Sequence, residues 1–290
     1  MNLNRSKKPT KIRAVKGDNR SPEQITEHYL LEKDLAAHLL QAQQHERRHL
    51  YRSLYDKLFR EITHHPQITR KMDAEASRVE VQRKMNLVKR YLHPDTVFLE
   101  VGPGDCQFSF KVAEDVKKVY AVDVSPEITK NAKMPDNFEL IISSGCDVPA
   151  EENSISIAYS NQLMEHLHPE DAYEQLQDLY RCLQPGGSYI CITPNRLAGP
   201  HDISKYFDPV ATGFHLKEYT NQELYDLFLT VGFSKITTYA GGKGVYLKVP
   251  RFLALIGEYI LDKVPSKLRY WIGNFLPVRA LLGVILVAQK

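Results

Sequence analysis

The residues whose spacing best suits chemistry are Phe98-Leu99-Glu100-Val101-Gly102-Pro103-Gly104-Asp105-Cys106, an apolar run closed by an acid and two glycines. Glycines directly after a buried strand let the backbone approach a ligand closely, and an acid ending the next strand can take a ribose diol. Asp123 closes the stretch Tyr120-Ala121-Val122-Asp123 and is placed for that second role. The turn lacks the third glycine of a GxGxxG pyrophosphate site, and Glu100 would repel a phosphate. An acidic first turn suits a ligand with cationic groups instead, such as an amino-acid ammonium and a sulfonium.

A second group lies in Asn161-Gln162-Leu163-Met164-Glu165-His166-Leu167. A histidine titrates near neutrality, so His166 with Glu165 beside it is the candidate catalytic base. The competing reading is that both residues cap the helix that starts at Pro169-Glu170-Asp171. His168, His201, Tyr206 and His215 are further polar groups in segments expected near the same mouth. His64-His65 reads as a polar helix terminus, with nothing at zinc-ligand spacing beside it. Cys106, Cys146, Cys182 and Cys191 form no CxxC pair and read as reduced thiols of a cytoplasmic protein.

These residues need a scaffold, and the pattern of the chain supplies one. Strands are predicted at Thr96–Val101, Val119–Val122, Phe138–Ile142, Ile155–Tyr159, Ser188–Ile192, Ser234–Tyr239 and Leu282–Ala288, alternating with helical stretches such as Asp171–Leu183 and Asn221–Val231. That alternation means an α/β fold with a doubly wound sheet. Residues 1–20 are polar, basic and aperiodic, and read as a disordered tail. Residues 21–92 read as a helical appendage or lid, opened by Ser21-Pro22-Glu23 as cap and first turn. Residues 93–290 form the main domain. Within it, 241–280 reads as a helical insert with two amphipathic faces, one through Phe252, Leu255, Ile256, Tyr259 and Ile260 and one through Leu268, Trp271, Ile272 and Phe275.

Segment 97–240 resembles the class I S-adenosylmethionine-dependent methyltransferases, specifically the methyltransferase type 11/23 group. The resemblance rests on the Glu100–Gly104 turn, on Asp123, on Leu183-Gln184-Pro185-Gly186-Gly187 before strand five, and on the Asn161–Leu167 segment after strand four. It implies a Rossmann-like seven-stranded sheet in which the last strand, Gly283–Ala288, runs antiparallel beside strand five. It also implies S-adenosyl-L-methionine as cofactor, held by Glu100, Gly102, Gly104, Asp123, Val124, Ser144, Gly145 and Asn161. The chain departs from the family at Cys106, usually glycine, and at Ser144 and Ser156, often acids, with Asp147 close enough to substitute. The stretch His215-Leu216-Lys217-Glu218-Tyr219-Thr220 and the Glu165-His166 pair resemble part of the metal site of small-RNA 3′-end 2′-O-methyltransferases. Gln162 stands where that group has a glutamate, so no metal ligand set is assigned here.

The expected activity is methyl transfer, as O-methylation of a small-molecule, glycan or lipid-linked acceptor. Two alternatives are an RNA 3′-end 2′-O-methyltransferase and a non-catalytic protein on a decayed methyltransferase fold. The chain of 290 residues carries a net charge of +3, but residues 1–20 and 243–290 each sum to +6, which leaves −9 for the stretch between. An acidic body argues against a broad nucleic-acid surface. Two basic ends point instead to acceptor recognition or peripheral membrane contact through 243–279. The longest apolar run, Ala280–Ala288, is too short to span a bilayer, which needs about 20 residues, so the expected location is cytoplasmic with membrane-peripheral contact at most.

Overall fold

A computed structural model describes residues 18–66, 74–126 and 133–290. Strand β1 (Val97–Val101) is buried along its length because helices cover both faces of the sheet around it. Strand alternation sends Leu99 and Val101 to one face, and Phe98 and Glu100 to the other. β2 (Lys118–Asp123), β3 (Phe138–Ile142), β4 (Ile155–Asn161) and β5 (Leu183–Thr193) pair in parallel around β1. The chain then forms β6 (Ser234–Gly242), β7 (Val245–Val249) and β8 (Val284–Gln289). Strand order is β3-β2-β1-β4-β5-β8-β6-β7. As the resemblance implies, the last strand lies antiparallel beside β5, with Ser188 opposite Gln289 and Thr193 opposite Val284.

The sheet has eight strands, not seven. β7 pairs with β6 as a hairpin inside the segment expected to be wholly helical. Gly241 makes that hairpin possible: a Cβ there would meet the Val245 carbonyl oxygen at 2.0 Å, and its φ is +151°. The helical insert therefore begins at Arg251. It comprises three helices, α7 (Arg251–Asp262), α8 (Ser266–Asn274) and α9 (Leu276–Leu282), the last opened by Pro277 in its first turn.

The N-terminal helices are α1 (Pro22–Gln41), α2 (Gln44–Glu61) and α3 (Ala74–Val88). Ser21 and Gln24 close a capping box at the start of α1. Leu35, Leu39, Leu54 and Leu58 share one core with Leu99 and Val101, while Met85 and Val88 pack with Phe98 on the opposite face. The N-terminal segment is thus built into the sheet's two cores. Residues 1–17 of the expected disordered tail lie outside the described residues, but its last residues are ordered. The Asp18 carboxylate accepts from Arg20 Nη2 at 2.7 Å and from the Tyr206 hydroxyl, and Arg20 Nη1 donates to His28 Nδ1 at 2.7 Å.

Three further α-helices lie among the described residues. They are α4 (Gln107–Ala113), α5 (Pro169–Cys182) and α6 (Asn221–Val231).

Candidate active site

The carboxyl ends of β1, β2 and β4 face a cavity of about 430 Å³, within the range of small-ligand sites. Gly102 and Gly104 form its floor with φ of +69° and +66°, and nothing lies within 4 Å of where a Cβ on Gly104 would stand. That open space is where a ligand can lie against bare backbone. Cys106, in the position where the family usually has glycine, holds φ +59° itself, so the departure leaves the turn intact. Asp123, Val124 and Gly145 line the same cavity. The Asp123 Oδ1 accepts from the Ser125 N–H at 3.0 Å, which fixes the carboxylate at the strand end.

Three of the sequence-predicted cofactor residues do not line the cavity. Glu100 faces α4, where its carboxylate accepts from Ser109 Oγ at 2.5 Å, and burial pushes its carboxyl up to about 7. Strand alternation explains this, since Val101, not Glu100, shares the cavity face. Ser144 is turned to Asp147, which accepts from both its backbone N–H, at 2.9 Å, and its hydroxyl. Asn161 ends β4 opposite Ile192. The neighbours Ser125, Ser143, Gln162 and Leu163 line the cavity in their place.

The wall that the sequence reading missed is α2. Tyr51, Tyr55 and Phe59, four residues apart on one stripe, roof the cavity together with Arg52 and Asp56. The signal was present as an aromatic stripe beside the leucines that marked the helix. A buried network holds α2 in place. Arg47 donates to Asp171 through Nε at 2.7 Å and Nη2 at 2.8 Å, and the Tyr51 hydroxyl donates to Asp171 at 2.7 Å.

His166 lines the cavity and Glu165 lies behind it, fully buried. The His166 Nδ1 is 3.0 Å from the Phe214 carbonyl and 2.9 Å from the Tyr55 hydroxyl. A carbonyl can only accept, so the network assigns the proton to Nδ1 and leaves Nε2 as an acceptor. Burial, reinforced by the charge of His215, holds His166 down near 3, so it is neutral at physiological pH. Glu165 Oε2 accepts from Thr193 Oγ1 at 2.8 Å, Oε1 has no hydrogen-bond partner, and burial raises its carboxyl to about 7. His215 Nδ1 lies 2.7 Å from Glu218 Oε1; despite burial, that bond together with the charges of Glu165 and Glu218 lifts His215 to about 9. Ligand atoms of Glu165, His166 and His215 all fall within 4.8 Å of one another.

The remaining candidates do not line the cavity. His168 caps α5, accepting from the Glu170 N–H at 3.3 Å, and His201 lies 3.1 Å from the Asn195 carbonyl through Nε2. Tyr206 bonds Asp18, and His64 Nε2 lies 3.1 Å from the Gln24 carbonyl. His65 packs on His28, whose Nε2 contacts Glu32 at 2.7 Å. The Arg20 donor on His28 Nδ1 places the His28 proton on Nε2, where it is donated to Glu32, with the His65 ring edge-on against His28.

Residues 99–191 match the family model described as "Methyltransferase domain". These residues span the glycine turn, Asp123 and the Glu165-His166 segment. Over residues 99–191 this chain is similar to methyltransferase domains. A curated relative from Mycolicibacterium smegmatis, described as "Probable S-adenosylmethionine-dependent methyltransferase", is 26% identical over 137 residues, which is 47% of this chain. The chain spans about half of that relative's length, 51%. Two solved structures share the fold. One is a Haloferax volcanii methyltransferase in complex with the Trm112 methyltransferase activator, with TM-score 0.52 and 16% identity, covering 73% of this chain and 90% of that one. The other is Haemonchus contortus phosphoethanolamine N-methyltransferase 1 in complex with phosphoethanolamine and S-adenosylhomocysteine, with TM-score 0.56 and 15% identity, covering 86% of this chain and 50% of that one. The cavity thus has the glycine turn and Asp123 on one wall and the N-terminal helix α2 on the other.

Proposed function

We propose that the chain transfers a methyl group from S-adenosylmethionine to a hydroxyl of a small-molecule, glycan or lipid-linked acceptor. The observation that carries this reading is the shared cavity: Gly102, Gly104, Asp123 and His166 border one space roofed by Tyr51, Tyr55 and Phe59. The residues present fit the cofactor, because the bare backbone at Gly104 admits close approach and Asp123 offers a carboxylate at the ribose position. When bound, the cofactor supplies an activated methyl on a sulfonium. The protein's part is to align the acceptor and exclude water, and such positioning lowers a barrier by about 7–11 kcal/mol. The aromatic roof of α2 shields the site, and Nε2 of neutral His166 accepts a hydrogen bond from the acceptor hydroxyl, orients it, and takes its proton as the methyl passes from the sulfonium to the oxygen, leaving the thioether.

Isothermal titration with S-adenosylmethionine and S-adenosylhomocysteine tests the cofactor site. Asp123→Ala should weaken both about 10- to 100-fold, the loss of a charge-assisted hydrogen bond pair. Unchanged affinity overturns the assignment, and no binding by the unaltered chain favours a non-catalytic protein. His166→Ala should keep cofactor affinity and lower kcat on the true acceptor by about 10²-fold.

A specific observation favours a second reading, metal-assisted O-methylation. Glu165 Oε1 is buried and unpartnered, and His166 engages Nδ1 with a carbonyl, the pattern that frees Nε2 for a cation; His215, bonded to Glu218 through Nδ1, would offer Nε2 once a cation displaces its proton. Glu165, His166 and His215 would hold the ion, which would supply Lewis acidity toward the acceptor oxygen. Loss of turnover on chelation, restored by a divalent cation, separates this reading from the first. RNA methylation is disfavoured by the −9 charge of residues 21–242.

A further inference from the structure

Helix α7 turns one acid, Glu258, inward. That side chain is buried, and Oε1 accepts from Asn195 Nδ2 at 2.6 Å and from the Asn221 backbone N–H at 2.6 Å, at the N-terminus of α6. Ala254 and Leu261 share that inner side. Phe252, Ile256, Tyr259 and Ile260, spaced by four, three and one, form the opposite stripe, and each is more than half exposed. On α8 and α9 the same holds for Leu268, Trp271, Phe275 and Leu276, with Trp271 79% exposed. α7, α8 and α9 pack on one another through Leu261, Ile272, Val278, Leu281 and Leu282, so the outward residues are not an alternative core. A soluble surface rarely carries so many large apolar side chains together without a partner.

Charge selects the partner. Residues 243–290 hold eight basic groups and two acids. Glu258 is turned inward, and Asp262 is met by Arg269 at 3.5 Å and Arg196 at 3.7 Å. The three helices and their connections carry five basic groups, Arg251, Lys263, Lys267, Arg269 and Arg279, and exposed Lys263 lies over the Tyr259 ring at 5.3 Å. Two copies of this chain meeting through the same patch would bring like charges together. Anionic headgroups complement it, and a tryptophan and a tyrosine flanked by lysine and arginine suit the boundary between headgroup and acyl chain. None of these helices is long or apolar enough to cross a membrane.

We propose that α7–α9 dock the chain onto an anionic lipid surface, lying in its plane with the Tyr259–Trp271 face inserted. The surface adjoins the methyltransferase domain. α8 packs on Arg196–Ala198, and a Cβ on Gly273 would stand 2.9 Å from Ala198 Cα.

Trp271 is the sole tryptophan, so its emission reports insertion directly. The full chain is mixed with vesicles of phosphatidylcholine alone or of phosphatidylcholine with phosphatidylglycerol, then followed by fluorescence and co-sedimentation. Phosphatidylglycerol vesicles should sediment the chain, shift its emission to the blue and shield it from acrylamide, and the effect should weaken between about 0.1 M and about 1 M salt as screening shortens. The variant Ile256→Glu/Tyr259→Glu should lose at least about tenfold in vesicle affinity while keeping its cofactor thermal shift. That control separates failure of docking from failure of the methyltransferase reading. Absence of sedimentation and emission shift, or equal binding by the variant, overturns the proposal. So does a dimer, seen by sedimentation equilibrium, that the same variant dissociates, because it assigns the face to a second copy.

Discussion

Asp123 and Glu100 both sit near the carboxyl end of a strand, yet only Asp123 reaches the cavity. Glu100 is a buried acid held by Ser109, and its displaced titration has a thermodynamic consequence. Its folded value of about 7 lies above the ordinary 4.5. Between those values the folded chain holds a proton that the unfolded chain has lost, so this group's contribution to stability falls as pH rises through 7. Glu100→Gln keeps an acceptor for Ser109 and removes the titration. Thermal melts of the cofactor-free protein should match the unaltered chain near about pH 4.5 and exceed it near about pH 8.5, by on the order of 3 kcal/mol. A variant melting below the unaltered chain at both values would show that the carboxylate itself is required. The glycine turn, Asp123 and Gly145 were legible because backbone conformation and strand ends leave marks in residue type and spacing. The turning-away of Glu100 and Ser144 was not, because it depends on which face a strand residue takes and on a local partner, Asp147.

Helix α2 shows what an element adds that its residues do not announce. Its helical period is plain in Leu50, Leu54 and Leu58, but Arg47 looks in sequence like any charge on a solvated helix. In the fold Arg47 is buried against Asp171, which is itself fully buried, while its second ion-pair partner Glu170 is largely exposed. Removing one member of a buried pair costs about 3–5 kcal/mol, whereas the exposed contact contributes about 0–1. Arg47→Ala should lower the melting temperature by several degrees and also weaken cofactor binding, since Tyr51 and Tyr55 ride on the same helix. Glu170→Ala should change neither by much. Intact cofactor affinity in a destabilised Arg47→Ala chain would show that the roof of the cavity stands without its anchor. Hairpin strand β7 escaped the sequence reading for a different reason. Gly241, Gly242 and Gly244 mark a break, and a short edge strand whose Val245, Leu247 and Lys248 are exposed shows no buried pattern.

At the scale of the whole chain, alternation of strand and helix was enough to give the doubly wound α/β class, while the place of the last strand beside β5 came from the family resemblance. The manner in which the N-terminal helices join its cores depends on contacts far apart in sequence. Their closure includes the stretch expected to be disordered. Asp18, Arg20, His28 and Tyr206 form one network across 188 residues of separation. A chain beginning at Asp18 keeps these bonds, whereas one beginning at Ser21 strips His28 and Tyr206 of these partners. That second chain should lose about 1–3 kcal/mol by chemical denaturation. Equal stability of the two would assign the network no part in holding the fold.

The four cysteines turn this architecture into a clock. Cys106 follows the glycine turn, Cys146 adjoins Gly145, Cys182 ends α5 and Cys191 lies in β5, all with buried side chains. Burial also raises the Cys146, Cys182 and Cys191 thiols to about 12, 11 and 12, so almost no thiolate exists to react near neutrality. Alkylation in native buffer must then wait for the protein to open. The order in which the four sulfurs become labelled would date the opening of each region, with Cys106 and Cys146 timing the cofactor wall and Cys182 and Cys191 timing the sheet behind it.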